Sequence, residues 1–262
     1  MLERTYVITG AASGIGRATS DLLKERGAKV IGVDIHDVDI SADLSTPLGR
    51  KNAATEATEL SGGNIDGVIA CAGSLRAKPQ TVSVNFFGAT EFLHFLRPIL
   101  EKSSAPRVVI TSSMASLLPI SPELVAEMLA GNEEAALVSA QKLVTQGRET
   151  ADLIYNSTKR AISRWVRREC VKAEWAGAGI ALNAVGPGTV ETPMVARLVE
   201  NPASLVALDS LIPMPLNYHL KARQVGYLLA WLTSDENTHT TGQTIYIDGG
   251  ADASIRADDI WS

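Results

Sequence analysis

The sequence predicts an α/β protein: one doubly wound, mostly parallel sheet with helices on both faces and an extra pair of helices late in the first half. Three observations predict it. Short apolar runs alternate along the chain with longer segments of helical periodicity, the pattern of repeated strand–helix–strand units. The strand candidates are near-continuous apolar runs, which suits strands covered on both faces. The composition, 45% hydrophobic and 20% charged over 262 residues, provides for one sizeable core and excludes a disordered or fibrous chain.

The elements follow in order. Tyr6 to Thr9 is a strand and Gly14 to Arg26 a helix ended by Gly27. Ala28 to Val33 is the second strand, and Leu48 to Leu60 a helix closed by Ser61-Gly62-Gly63. Gly67 to Ala70 is a buried strand; Val82 to Leu100 is a long helix with Phe86, Leu93 and Leu96 among its apolar positions; Arg107 to Ile110 is the next strand. Ser121-Pro122-Glu123 starts a helix that Gly131 stops, and Asn132-Glu133-Glu134 starts another that Gly147 stops. A long helix spans Ala151 to Trp175, ahead of Gly177 and Gly179. Ile180 to Val185 and Thr244 to Ile247 are the last strands, with a helix at about 221–233 between them. Crossovers should be right-handed. No repeat, low-complexity tract or linker divides the chain, so residues 1–262 are expected to form a single domain.

Composition also limits function. With 24 Lys+Arg against 29 Asp+Glu the net charge is −5, which argues against nucleic acid or an anionic membrane as the main partner. Cys71 and Cys170 are the only cysteines and read as free thiols of a reducing compartment. The four histidines, His36, His94, His219 and His239, show no metal-ligand spacing. No apolar run reaches membrane-spanning length, and strand-like residues begin a few positions after Met1. A cytoplasmic protein without a metal centre or a leader is the expectation.

Two local patterns carry chemistry. Thr9-Gly10-Ala11-Ala12-Ser13-Gly14-Ile15-Gly16 links the first strand to the first helix. Glycines there allow a tight turn and close approach of a ligand, and the helix N-terminus offers unpaired N–H groups to a pyrophosphate. Taken alone, the segment is a moderate signal, with a ligand-free glycine-rich turn as its alternative. Asp34 ends the second strand 18 residues after Gly16, where a carboxylate accepts the two hydroxyls of an adenosine ribose. It repels a 2′-phosphate, and Ile35, His36 and Asp37 provide no cation to hold one, so NAD is expected over NADP. The second pattern is Tyr155-Asn156-Ser157-Thr158-Lys159 on a helix. Residues four apart share a face, and a nearby ammonium favours phenolate. The pair suits proton exchange with an alcohol–ketone couple, although a Tyr–Lys pair on a helix is often only structural.

Together these segments resemble the short-chain dehydrogenase/reductase family. Thr9–Gly16 matches its TGxxxGxG turn and Tyr155 with Lys159 its YxxxK pair; Ser113 of Ser112-Ser113 falls in the catalytic-serine place, and Asn85 in the place of the helix asparagine. Asp43-Leu44 matches the pair that borders the adenine, Pro187-Gly188 with Val190 and Thr192 the segment that holds the nicotinamide carboxamide, and Asp248-Gly249-Gly250 the last strand end. The resemblance runs from residue 9 to residue 250. It implies a Rossmann-type fold, NAD as cofactor, and a catalytic set of Asn85, Ser113, Tyr155 and Lys159. Tyr155 would exchange the proton, Ser113 hydrogen-bond the substrate oxygen, Lys159 lower the Tyr155 pKa and bind ribose, and Asn85 hold a water. The cofactor set it implies is Gly10, Ser13, Gly14, Ile15, Gly16, Asp34, Asp43, Leu44, Cys71, Ala72, Gly73, Tyr155, Lys159, Pro187, Gly188, Val190 and Thr192.

Two departures stand out. Ala70-Cys71-Ala72-Gly73 replaces the family's NNAG, and Cys71 reads as a neutral packer. Ser113 and Tyr155 are 42 residues apart, where common members have roughly a dozen. The extra segment, about 116–153, is expected to be helical, as in the bacterial 3α-hydroxysteroid dehydrogenase/carbonyl reductase subgroup, which Val33-Asp34-Ile35, Ala42-Asp43-Leu44-Ser45 and Gly49-Arg50 also resemble. Leu124, Met128 and Leu129, then Leu137, Val138 and Val144, should pack it onto the body. It would block the family's four-helix contact and leave a homodimer through residues 221–233 and 244–247. Residues 190–215, with Val190, Met194, Leu198, Leu205, Leu208, Leu211, Ile212 and Met214, form either a lid over a bulky apolar alcohol or ketone or ordinary packing. Rival functions are a non-catalytic dinucleotide-binding regulator and a reductase of carrier-bound acyl groups.

Overall fold

In the computed structural model, residues 4–196, 200–216 and 219–260 are described. Seven strands form one parallel sheet: β1 (Thr5–Thr9), β2 (Lys29–Asp34), β3 (Ile40–Ser41), β4 (Gly67–Ala70), β5 (Arg107–Thr111), β6 (Ala181–Pro187) and β9 (Thr244–Ile247), in the order β3-β2-β1-β4-β5-β6-β9. The chain winds outward from β1 in one direction and from β4 in the other. The strand ends of β1 and β4 therefore open the crevice where ligands bind in such sheets.

The helices are α1 (Gly14–Glu25), α2 (Pro47–Leu60), α3 (Gln80–Val82), α4 (Gly88–Leu100), α5 (Pro122–Leu129), α6 (Glu133–Thr145), α7 (Arg148–Glu169), α8 (Pro202–Leu211), α9 (Ala222–Leu232) and α10 (Ala251–Arg256). One core, including Val7, Phe92, Leu96, Ile110, Ile162 and Val166, lies under α2, α4 and α7. The other, including Tyr6, Ile8, Leu22, Val225 and Leu229, lies under α1 and α9. Gly226 permits the close α1–α9 crossing, since a Cβ there would sit 3.2 Å from Thr19 Oγ1.

The differences from expectation have local causes. The 82–100 helix is interrupted by a π-helical turn at Ser83–Phe87, a widening common at functional sites. The Tyr155 helix begins at Arg148 and ends at Glu169; Trp175 lies beyond it, fully buried and edge-on to Trp165 at 5.9 Å. Strand β3, the small β7–β8 sheet (Val190–Glu191 with Leu220–Lys221) and α10 are unforeseen, because two-residue strands have no periodicity to detect.

The inserted helices pack on α7 and bury one face each; on α6 Val144 packs against the core and Leu137 is half-buried, but Val138 points away. Leu124, Val125 and Met128 of α5 are buried. On α6 the small residues Ala136, Ser139 and Ala140 are buried while Val138 is 53% exposed. In the 190–215 region α8 buries no residue, and Leu198 lies outside the described residues. No described helix is long and apolar enough to cross a membrane.

Candidate active site

The glycine-rich turn leaves β1 and closes on itself. Gly10 has φ +71°, and a Cβ there would lie 2.9 Å from the Ala72 nitrogen; on Gly16 it would lie 2.2 Å from the Gly10 carbonyl oxygen. Any side chain would force the β1 and β4 ends apart. Thr9 fastens the same junction, its Oγ1 accepting the N–H groups of Cys71 at 3.1 Å and Ala72 at 3.0 Å. Ser13 is the exposed N-cap of α1 and makes no capping bond with its side chain. The first helical hydrogen bond runs from Arg17 N to the Ser13 carbonyl. Gly14, Ile15 and Gly16 thus present N–H groups at the positive end of the helix.

Asp34 ends β2 beside this turn. Its carboxylate accepts from Ala12 N at 2.9 Å and from Ile35 N at 2.7 Å. Two bonds leave acceptor capacity on both oxygens. Asp43 is exposed, accepting from Ser45 N at 2.8 Å, and Leu44 is buried. Sequence reading missed two nearby cations. Arg17 and Lys24, on α1, line a cavity of about 480 Å³ with Asp37 and Asp39, and Arg17 is paired with Asp21 at 3.1 Å.

Ser113 follows β5 and its hydroxyl accepts from Ala115 N at 3.1 Å. It also hydrogen-bonds the Tyr155 phenol, but burial wins and holds the Tyr155 pKa above its ordinary 10.0. This differs from the expectation that Lys159 lowers it. The Lys159 Nζ lies 5.6 Å from the Tyr155 ring centroid and donates to the Thr111 carbonyl at 2.8 Å. Burial lowers the Lys159 pKa from 10.5 to about 8. Ser112, paired with the Lys159 carbonyl and Ser163 Oγ, fixes α7 against β5.

Asn85 lies in the π-helical turn with its side chain tied into three hydrogen bonds. Oδ1 accepts from Ser74 N at 2.7 Å, and Nδ2 donates to the Ser74 carbonyl at 3.0 Å and to Thr158 Oγ1 at 3.1 Å. Its amide therefore shapes the loop after β4, with both donors engaged and one acceptor site left on Oδ1. Gly73 passes this cluster closely: a Cβ there would lie 3.2 Å from Asn85 Oδ1 and 3.8 Å from Lys159 Nζ. Cys71 meets Thr111 Oγ1 at 3.0 Å, and burial pushes its thiol up to about 11, the environment of an inert packer rather than a nucleophile.

The segment after β6 completes the crevice. Pro187 ends β6, and a Cβ on Gly188 would lie 2.9 Å from the Met214 sulfur. Val190 is buried in β7. Thr192 Cγ2 is 3.3 Å from where a Cβ of Gly14 would be, so the segment after β6 closes on the glycine-rich turn. The glycine cradle, free helix N–H groups and Asp34 at a strand switch point fit a dinucleotide. No group of three or more His, Cys, Asp or Glu among the described residues could hold a metal ion.

Comparison with known proteins agrees with this geometry. The family described as short chain dehydrogenase matches residues 4–126, and one described as enoyl-(acyl carrier protein) reductase matches residues 123–252. The chain is 35% identical to 3-alpha-hydroxysteroid dehydrogenase/carbonyl reductase of Comamonas testosteroni, over 95% of this chain and 97% of that protein. It is 28% identical to a 3-oxoacyl-acyl-carrier-protein reductase of Thermotoga maritima, over 94% and 97%. The crystal structure of 3-alpha-hydroxysteroid dehydrogenase from Pseudomonas sp. B-0831 complexed with NADH superposes with a TM-score of 0.88 at 36% identity, covering 98% of this chain and all of that one. With the fold, the crevice and these likenesses in agreement, the chain belongs to the short-chain dehydrogenase family of oxidoreductases.

Proposed function

We propose that the protein interconverts a secondary alcohol and a ketone on a bulky, uncharged substrate, using NAD(H). The observation that carries this is the meeting of Ser113, Tyr155 and Lys159 at the end of β5, beside a cradle ending in Asp34. When bound, the nicotinamide supplies or takes the hydride. In reduction, the Ser113 hydroxyl and the Tyr155 phenol donate hydrogen bonds to the carbonyl oxygen. The Tyr155 proton then passes to that oxygen as it becomes the alcohol, and the positive charge of Lys159 stabilises the phenolate left behind. In oxidation the proton returns along the same line.

Apolar walls support the substrate class. Met114 and Met214 are buried in one cluster, with Leu118, Ile212 and Tyr246 packed against it, as suits a hydroxysteroid, terpenoid or aryl alcohol. The NADH named in the Pseudomonas structure and the Asp34 carboxylate, with acceptor capacity left on both oxygens, support NAD over NADP. The test is a panel of these alcohols and ketones, plus a carrier-bound acyl thioester, followed by NADH absorbance. Tyr155→Phe should keep the fold and cofactor binding and lose on the order of 10²–10⁴ in kcat. A folded variant with near wild-type turnover would refute the assignment of Tyr155, and turnover of the thioester alone would favour the acyl reductase.

The edge supports a homodimer. β9 is the last strand of the sheet, with Ile245, Tyr246 and Ile247 half-buried. On α9, Val225 and Leu229 face the body while Tyr227 and Trp231 are 48% and 39% exposed. A two-fold contact there would cover both.

A further inference from the structure

Arg50, in the first turn of α2, has no exposed side-chain surface. Its guanidinium makes six contacts. Nε donates to the Leu44 carbonyl at 2.8 Å; Nη1 reaches Glu91 at 3.0 Å and Glu133 at 2.7 Å; Nη2 reaches the carbonyls of Ser45 at 3.1 Å and Ser83 at 3.3 Å, and Glu133 again at 2.7 Å. A fully buried charge is tolerated only with such complete pairing. Glu91 is 38% exposed and Glu133 20%, so the bidentate Glu133 bond is the stronger of the two.

The three carbonyls belong to functional segments. Leu44 and Ser45 lie on the stretch that follows β3. That stretch is hydrogen-bonded to β2 at its end, with Ala42 N donating to the Asp34 carbonyl at 2.8 Å and Ser41 paired in register with Asp34. Ser83 opens the π-helical turn that carries Asn85. Glu133 comes from the first turn of α6, within the inserted pair of helices. One guanidinium therefore ties the insertion to the wall beside Asp34 and to the Asn85 turn.

We propose that Arg50 and Glu133 are positioning residues, through which the inserted helices hold residues 42–45 in the shape that receives the adenosine half of the dinucleotide. This rests on the reading of Asp34 as the ribose carboxylate. Removing the Glu133 charge leaves Arg50 under-compensated and frees the 42–45 wall, while the nicotinamide end at Ser113, Tyr155 and Thr192 is untouched. The insertion is then part of the cofactor site as well as a cover for α7.

The experiment titrates wild type, Glu133→Gln and the double variant Arg50→Met/Glu133→Leu with NADH and ADP-ribose by calorimetry, with urea unfolding and kcat at saturating cofactor. Wild type should bind both ligands; if it binds neither, the dinucleotide reading falls and this inference with it. Glu133→Gln should weaken both ligands alike, by about tenfold, as for loss of one charge-assisted bond, with kcat within about twofold. The double variant replaces the buried ions with apolar volume, which removes the uncompensated charge, but leaves the Leu44, Ser45 and Ser83 carbonyls without the Arg50 donors. It should unfold at a higher urea midpoint than Glu133→Gln and keep the loss of affinity. If wild type binds normally and both variants hold ADP-ribose within about twofold of it, or if affinity recovers together with stability, the pair is a fold staple and the proposal is overturned.

Discussion

Lys159 is 5% exposed, and burial brings its pKa from 10.5 to about 8. Replacing it with methionine, of similar length and no charge, should change how stability depends on pH. In the unfolded chain the ammonium keeps its proton to near its ordinary value, whereas the folded, cofactor-free protein releases it near pH 8. Between those values the unfolded state binds more protons, so this group makes stability rise with pH. Below about pH 8 both states are protonated and the folded state bears the whole cost of the buried charge. At roughly 1.4 kcal/mol per pH unit that cost is about 3 kcal/mol, and between about pH 7 and about pH 9.5 the wild type should recover about 2 kcal/mol of it.

Other groups titrate in the same range with the opposite sign. Burial raises the pKa of Tyr6, Tyr155, Tyr246 and both cysteines, so their unfolded forms lose protons first and stability falls as pH rises. Those contributions are common to wild type and Lys159→Met and cancel in the difference. Cys71 does not cancel fully, because the Lys159 charge lowers its pKa; both proteins should therefore carry Cys71→Ala. Urea unfolding at several pH values across the window gives the difference directly. It should shift by about 2 kcal/mol or more in favour of the lysine protein as pH rises, because without Cys71, which raises it, the Lys159 pKa lies lower still. A flat difference would show that the ammonium is not held at a desolvation cost, and the buried positive charge invoked beside Tyr155 would lose its physical basis.

The remaining expectations are brief. Asp34→Ala with His36→Arg should move preference toward NADP(H), measured as the ratio of kcat/KM values, but total affinity should also fall because Ala12 N loses its acceptor; equal use of both cofactors by wild type would reject the role of Asp34. Trp231→Glu on α9 should yield monomers by light scattering, whereas a dimer broken only by a charge in residues 122–145 would place the interface on the insertion. Hydrogen exchange should show α8, which buries no residue, slowing on addition of NADH and substrate; strong protection without ligands would exclude a lid.

The sheet was legible because its strands are buried on both faces and spell continuous apolar runs. The dinucleotide turn was legible because it needs glycine for reasons of space, as Gly10 and Gly16 show. What remained hidden falls into two kinds. The first is electrostatic. The i, i+4 spacing of Tyr155 and Lys159 placed them on one face, but not how deep that face lies, and depth reverses the direction expected for the Tyr155 pKa. The second is the use of polar side chains to brace backbone. Thr9, Thr111, Thr158 and Ser157 are common residue types whose bracing has no local signature, even where they fall inside a motif: Thr9 closes the β1–β4 junction and Ser157 Oγ accepts from Ser121 N at the start of the insertion. Their partners lie tens of residues away, and no periodicity encodes such a distance.

Arg50 shows where that boundary runs. In sequence it is half of a Gly-Arg pair of uncertain purpose, on a helix that opens Pro47-Leu48-Gly49. Gly49 is now explained: a Cβ there would lie 2.0 Å from the Asp43 carbonyl oxygen, so the 43–46 turn can only fold against a residue without one. The same close approach puts the Leu44 and Ser45 carbonyls within reach of the next side chain, and only an arginine has enough donors to serve them, Ser83 and two carboxylates at once. A lysine at position 50 would carry the charge without the fork. The glycine and the arginine are therefore one device, with glycine allowing the approach and arginine holding it, and its counter-ion resides in the inserted helices. An insertion that supplies such a counter-ion cannot be trimmed independently of the cofactor wall. Its length, read from sequence as a departure from the family pattern, is in this fold a condition for the shape of the 42–45 segment.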